Sequence, residues 1–328
     1  METILVTGGT GFLGRYVIKR LVADGHRVYA LVRDEKRCAS IFEHDFRQEK
    51  ALHTIVIHNP TDLASTYYAR LIEQYNVNTV VHVAGIVGDY WNVPWNEYFR
   101  TNVHWTSNLA QGFLTAKVNH NKFFFTSTAG VYGTIPKTNP ALEELEYNPD
   151  GHYHKSKVLA ERLLRNLQVQ KGLPLLIFRP TTLYGSGDKG FLCKIFGLIR
   201  KGVFPLVECV NIHLLDVRTL VDVYSEAILK DSMSYSIFNV ADAYPVTMQA
   251  LASYIKERVG GNFLKVPKGV FTVFTKLLGN DSEFSIKLEL LSKSRSYSLQ
   301  RLEKSFRCKL GKTINNLQQD VMSYCEKT

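Results

Sequence analysis

Apolar residues recur along this chain at two spacings, and the order of the spacings predicts alternating strands and helices. Thr3-Ile4-Leu5-Val6 is a short apolar run with β-branched residues, the pattern of a buried strand. A glycine-rich stretch follows, Thr7-Gly8-Gly9-Thr10-Gly11-Phe12-Leu13-Gly14. Val17, Ile18, Leu21 and Val22 then fall at helical spacing and stop at Gly25. Arg27-Val28-Tyr29-Ala30-Leu31-Val32 reads as the second strand. Later strand-like runs are Val80-Val81-His82-Val83, Phe123-Phe124-Phe125-Thr126, Leu175-Leu176-Ile177-Phe178 and Ser236-Ile237-Phe238-Asn239-Val240. Between them, Tyr153 to Leu164 has helical spacing with no Gly or Pro. Strands alternating with helices predict an α/β fold with a doubly wound parallel sheet and right-handed crossovers.

The first strand, turn and helix carry a specific chemistry. Glycines at Gly8-x-x-Gly11-x-x-Gly14 permit a tight turn, let backbone amides approach an anion and allow the helix to pack on the strand. Unpaired N–H groups and the dipole at the helix N-terminus favour a pyrophosphate there. A βαβ unit around such a turn points to a dinucleotide.

A second constellation lies mid-chain. Tyr153 and Lys157 are four apart and share one helix face. An ammonium beside a phenol favours phenolate, so the spacing predicts a lowered Tyr153 pKa and a proton donor or acceptor. Thr128 and Ser127 both end a strand, but alternation turns neighbours to opposite faces, so only one serves the site.

These motifs together resemble the extended branch of the short-chain dehydrogenase/reductase superfamily, the NAD-dependent epimerases and dehydratases. The resemblance covers nearly the whole chain. Gly8 to Gly14 looks like its TGxxGxxG turn, and Val80-Val81-His82-Val83-Ala84-Gly85 like its fourth strand and following loop. Phe123 to Gly133 looks like its fifth strand, Tyr153-His154-Lys155-Ser156-Lys157 with Glu161 like its YxxSK…E helix, and Phe178 to Asp188 like its RPxxxYGxGD stretch. The resemblance implies a Rossmann-type sheet with a smaller, interleaved substrate domain. Residues 1–175 would bind the cofactor, strands near 175–180 and 236–240 would rejoin that sheet, and 181–328 would mostly form the substrate domain. It implies Tyr153 as general acid/base, Lys157 on the nicotinamide ribose, Thr128 on the reacting oxygen and Asn102 supporting the lysine. Gly8, Thr10, Gly11, Phe12, Leu13, Gly14, Arg33, Asn59, Ala84, Gly85, Tyr153, Lys157, Pro180 and Thr182 would hold the cofactor.

Departures from the pattern refine the expectation. The acid that accepts the adenosine ribose would fall on Val32, with Arg33 next, which favours NADP(H) over NAD(H). Asp34 is the rival, since a slip of one restores an acid. Asn59 stands where an aspartate is common. Trp105 replaces a glycine in Asn102-Val103-His104-Trp105-Thr106, which bears on local packing and the substrate pocket. Ala129 and Gly130 replace the Asp-Glu of dehydratases and cannot move a proton, which argues against that reaction. Val210-Asn211-Ile212-His213-Leu214 lacks the arginine that clamps a diphosphate in nucleotide-sugar epimerases. His213 to Asp222 matches the family's hVdDva segment loosely, and Thr247-Met248-Gln249-Ala250-Leu251 looks like its late helix start. The end of the second strand and the tail around Tyr297, Leu302 and Leu310 lie closer to reductases of small carbonyl substrates. The preferred reading is an NADP(H)-dependent oxidoreductase on a carbonyl or alcohol. A sugar-nucleotide epimerase and a non-catalytic cofactor-bound sensor are the alternatives.

Composition excludes more than it selects. With 328 residues and 45% hydrophobic content a sizeable core is assured. No run reaches the roughly 18 apolar residues of a membrane span. The first strand begins close to Met1, and the five cysteines show no CxxC or metal spacing, so free thiols in the cytoplasm and no metal are expected. His152 and His154 flank Tyr153 without a third ligand and are expected to meet solvent or substrate. The formal charge of +10 comes without a zinc finger, an RNP motif or a long basic run, so attraction of an anionic cofactor or substrate, or colloidal solubility, explains it as well, and nucleic-acid binding is not expected. Tyr90, Trp91, Trp95, Tyr98 and Phe99 form either an aromatic pocket or ordinary helix packing. The apolar stripe Val270 to Leu278 reads as packing or a homodimer face rather than membrane docking.

Overall fold

The structure is a computed structural model that describes residues 1–42, 51–88, 93–270 and 290–325. Strand β1 (Thr3–Thr7) runs into helix α1 (Phe12–Ala23), and β2 (Arg27–Val32) lies parallel beside β1. Helix α2 (Glu35–Phe42), β3 (Leu52–Val56), α3 (Ser65–Gln74) and β4 (Thr79–His82) continue the alternation. After β4 come the short α4 (Trp95–Tyr98), a π-helical turn at Phe99–His104, α5 (Trp105–Thr115) and β5 (Lys122–Thr126). The long α6 (Gly151–Lys171) ends at Gly172 with φ +70°, and β6 (Leu175–Pro180) follows. Next come β7 (Thr182–Tyr184), α7 (Phe191–Arg200), β8 (Phe204–Leu206), β9 (Asn211–Ile212), β10 (Leu214–Asp216) and α8 (Val217–Leu229). Only then does β11 (Ile237–Val240) close the main sheet, ahead of β12 (Val246–Thr247) and α9 (Met248–Val259).

The sheet has seven strands in the order β11-β6-β5-β4-β1-β2-β3. Registers such as Val6↔Val81, Val81↔Phe124 and Phe124↔Leu176 show the central pairs running parallel. A sheet covered on both faces needs apolar residues on both, so its strands read as continuous apolar runs. Phe123 and Phe125 enter a cluster with Phe113, Leu109, Ala160 and Leu164 from α5 and α6. Phe124, on the opposite face, stacks near Phe178 and meets the edge of Tyr224. The order reverses between β1 and β4, which opens the crevice at the carboxyl ends where doubly wound sheets bind ligands.

The chain divides into two compact units. The first comprises Met1–Val131, Asp150–Arg179 and Val221–Phe238; the second comprises Tyr132–Pro149, Pro180–Leu220 and Asn239–Thr328. In the second, β7 pairs in parallel with β10. Its core packs α7 and α9 through Ile195, Phe196, Leu251 and Ile255. Thr247 caps α9 by accepting the Ala250 N–H at 3.0 Å. The stripe beyond Val270 lies outside the described residues, as do Tyr90 and Trp91. Among the described residues, no helix is long and apolar enough to cross a membrane.

Candidate functional site

The glycine turn is built for a close approach. Gly8 sits at φ +75°, and a Cβ there would lie 2.8 Å from the Ala84 nitrogen. A Cβ on Gly14 would lie 2.1 Å from the Gly8 carbonyl oxygen, so α1 packs on the turn only because that atom is missing. The Gly11 N–H closes the turn on the Gly8 carbonyl at 2.9 Å. Gly11 caps α1 without a side-chain hydrogen bond and no acid occupies the first turn, so the N-terminal amides face no competing carboxylate there. This cradle, with Phe12 and Leu13 opening the helix and Thr10 in the turn, fits a dinucleotide pyrophosphate. When bound, a nicotinamide supplies or accepts hydride.

At the end of β2, Arg33 is exposed, and its carbonyl oxygen lies 3.1 Å from His58 Nδ1. Asp34 is otherwise engaged: its Oδ1 accepts the Arg37 N–H at 3.1 Å and its carbonyl accepts the Cys38 N–H at 3.1 Å, so it starts α2. Asn59 is exposed and leads a short 3-10 turn without a side-chain cap.

Tyr153 and Lys157 stand one turn apart on α6, 8% and 2% exposed. Thr128 lies close enough to the Tyr153 phenol to favour its ionised form, and its Oγ1 accepts the Gly130 N–H at 3.1 Å. Ser127, on the opposite face, donates to Glu161. Strand alternation therefore separates the two hydroxyls as expected. Glu161 in turn holds Arg179, with Nη2 to Oε2 at 2.5 Å and both side chains buried.

The expected lowering of the Tyr153 pKa is overturned. Burial pushes the phenol well above its usual value, and the neighbouring Thr128 opposes this only in part. Lys157 Nζ donates to the Thr126 carbonyl at 2.8 Å and lies 4.7 Å from the centre of the Phe125 ring. Burial lowers Lys157 to about 8, with Glu161 pulling it back up. An enclosed tyrosine is thus a proton-holding acid at neutral pH.

Around this pair, Ala84 donates its N–H to Thr7 Oγ1 at 3.2 Å. A Cβ on Gly85 would meet Asn102 Oδ1 at 3.0 Å and Lys157 Nζ at 3.3 Å, so the loop after β4 passes directly over the lysine. Asn102 lies in the π-helical turn and spends its amide on Ile86 and on the Ser156 hydroxyl. The indole of Trp105 is buried edge-on to His82, which shows how the larger residue is accommodated. Pro180 ends β6 and Thr182 opens β7.

His154 is 6% exposed, so it does not meet solvent: its Nδ1 lies 2.5 Å from Asp150 Oδ1. His152 sits between the Trp95 and Tyr98 rings at 5.7 and 6.1 Å. Tyr98 is core packing, whereas Trp95 and Phe99 are partly exposed. Sequence reasoning missed Asp150 and His82; an acid four residues before a histidine at a helix start was the available signal for Asp150.

Residues 4–240, well over half the chain, match the model of the NAD-dependent epimerase/dehydratase family. The chain is 27% identical to UDP-glucose 4-epimerase 2 of Oryza sativa subsp. japonica over 65% of its own length and 52% of that protein's. It is 26% identical to the UDP-glucose 4-epimerase of Vibrio cholerae over 85% of this chain and 83% of the relative. The chain thus spans about half the length of the rice relative. The fold matches the UDP-glucuronic acid 4-epimerase from Bacillus cereus in complex with NAD, with a TM-score of 0.77, 16% identity, and 99% of each chain covered.

Proposed function

Because this chain belongs to the NAD-dependent epimerase/dehydratase family, we propose that it is a nicotinamide-dependent oxidoreductase of the extended short-chain type acting on a carbonyl or the matching alcohol. The observation that carries the reading is the buried Tyr153 phenol one helical turn from the buried Lys157, with Thr128 close enough to favour the ionised phenol. Tyr153, held protonated by burial, hands its proton to the oxygen of a substrate carbonyl. In the alcohol direction it takes that proton back. Thr128 orients the same oxygen, and Lys157 stabilises the tyrosinate that forms once the proton has left.

Replacing Tyr153→Phe keeps the ring and removes the proton. Turnover should fall by at least about a thousandfold, the scale of a positioned acid, while calorimetric affinity for the nicotinamide stays within about twofold. Activity that survives the change undiminished sinks the mechanism.

Arg33 supports NADP(H) over NAD(H). It is exposed at the end of β2, and the rival Asp34 is occupied in starting α2. A guanidinium there pairs with a 2′-phosphate, which a carboxylate repels. Calorimetric titration with NADPH and NADH tests this, and a preference for NADH of about tenfold or more, near 1.4 kcal/mol, overturns it. We assign the cofactor to the first compact unit and substrate selection to the second. The thiols of Cys38, Cys193, Cys209 and Cys308 fit a cytoplasmic enzyme.

The second reading is a nucleotide-sugar 4-epimerase, supported by the names of the rice and Vibrio relatives. The stretch Val210 to Leu214, where the resemblance implies a diphosphate-clamping arginine, has none and counts against it.

A further inference from the structure

His82 lies on β4 with no exposed surface, and the chemistry above makes no use of it. Burying an imidazole requires partners for both nitrogens, and a leucine or valine would fill the place with none. The partners found here are Thr7, which leads into the glycine turn, and Thr106, one turn after Asn102. Thr106 has one hydroxyl proton and donates it to the Asn102 carbonyl at 2.8 Å. It must therefore accept at its 2.9 Å contact with His82 Nε2, which fixes the ring proton on Nε2. Nδ1 is then a lone pair facing the Thr7 hydroxyl at 2.7 Å, and that hydroxyl, which donates to Nδ1, accepts the Ala84 N–H at 3.2 Å. The Thr106–Asn102 bond thus sets the roles along the row.

The row continues beyond Asn102. Its Oδ1 accepts the Ile86 N–H at 2.8 Å, and its Nδ2 donates to the Ile86 carbonyl at 3.1 Å and to Ser156 Oγ at 2.9 Å. Ser156 donates to the Tyr153 carbonyl at 2.7 Å. The loop from Ala84 to Ile86 is thereby pinned at both ends, with Gly85 between Asn102 and Lys157. Burial and the charge of Lys157 hold the imidazole neutral down to about 3, so the arrangement does not change over the working range.

We propose that His82, as its Nε2–H tautomer, is a positioning residue: it sets Asn102 and the Ala84–Ile86 loop against Lys157 and so shapes the seat of the nicotinamide ribose. The inference rests on the function proposed above.

Two measurements test it. Nitrogen-15 NMR of histidine-labelled protein should show His82 protonated at Nε2 alone and unchanged from about pH 8 to about pH 5. Fluorescence titration with NADPH and NADH then compares His82→Leu, which ends the row, with His82→Gln, whose carboxamide offers an acceptor and a donor. Thr106→Val cuts the row at a second, nearly isosteric point. The leucine and valine variants should lose about tenfold in affinity, one buried hydrogen bond's worth, and glutamine should recover most of it. A merely structural histidine shows no such rescue. A ring protonated at Nδ1 overturns the inference, as do folded His82→Leu and Thr106→Val proteins that bind as the parent does. A parent that binds neither nucleotide defeats the proposed function instead, and the tautomer alone then decides this inference.

Discussion

Glu161 is fully buried against three hydrogen-bond donors. Ser127 donates to it, and Arg179 faces it through both Nε and Nη2, the pair being 0% and 1% exposed. Removing one partner of such a pair leaves the other charged and buried, at about 3–5 kcal/mol. Glu161→Gln keeps the shape and an acceptor for Ser127 but strands Arg179. Its melting temperature should fall by roughly five degrees on the usual scaling, read by calorimetry; an unshifted transition refutes the account. At this scale the sequence was informative wherever spacing alone decides. Alternation separated Ser127 from Thr128, and the glycine spacing located the turn. It misjudged the Tyr153 pKa because a pattern of letters reveals which charge is near and not how much water has been removed.

The turn after β5 and the first turn of α6 meet at Gly130. A Cβ at that position would lie 2.1 Å from His154 Nε2. Asp150 holds the ring from the other side and makes no side-chain cap bond to the helix it precedes. Gly130→Ala forces the imidazole or the turn to move, and overpacking of this kind costs about 1–3 kcal/mol. Thr128 is two residues away, so turnover should drop by about tenfold or more while cofactor affinity holds. Adding His154→Ala should restore much of the loss. A single alanine variant with parental turnover would show that the contact does not matter. Elements with a strong period, such as β1, α1, β2 and α6, were legible because burial imposes that period. The π-helical turn at Phe99–His104 was not, since the extra residue in the turn changes the backbone and leaves the side-chain pattern almost helical.

Protonation of buried groups should govern how the folded molecule responds to acid. His82 stays neutral to about 3 and His213 to about 4, both through burial. Their unfolded counterparts take a proton near 6.5. Between those values the unfolded chain binds more protons, so stability falls as pH drops below about 6.5. Asp242, pushed up to about 6 by burial, works the other way: from 6 down to 3.8 the folded state holds the extra proton. Two imidazoles outweigh one carboxyl, and melting temperature should decline steadily from about pH 7 to about pH 4.5. A constant or rising value contradicts the assignment. The class of the fold was legible at this scale, including the return of the strands near 175–180 and 236–240. The grouping of Tyr132–Pro149 with the second compact unit was not, because few residues in that stretch show any period.

The late return of β11 has a consequence for synthesis. Leu175–Pro180 is buried along its whole length and takes β11 as its outer neighbour in the sheet. Until Ile237–Val240 leaves the ribosome, that strand presents a bare row of amides and carbonyls to water. Such an unpaired row is a template for pairing with another copy, so the interval before β11 emerges is where this sheet is open to mispairing.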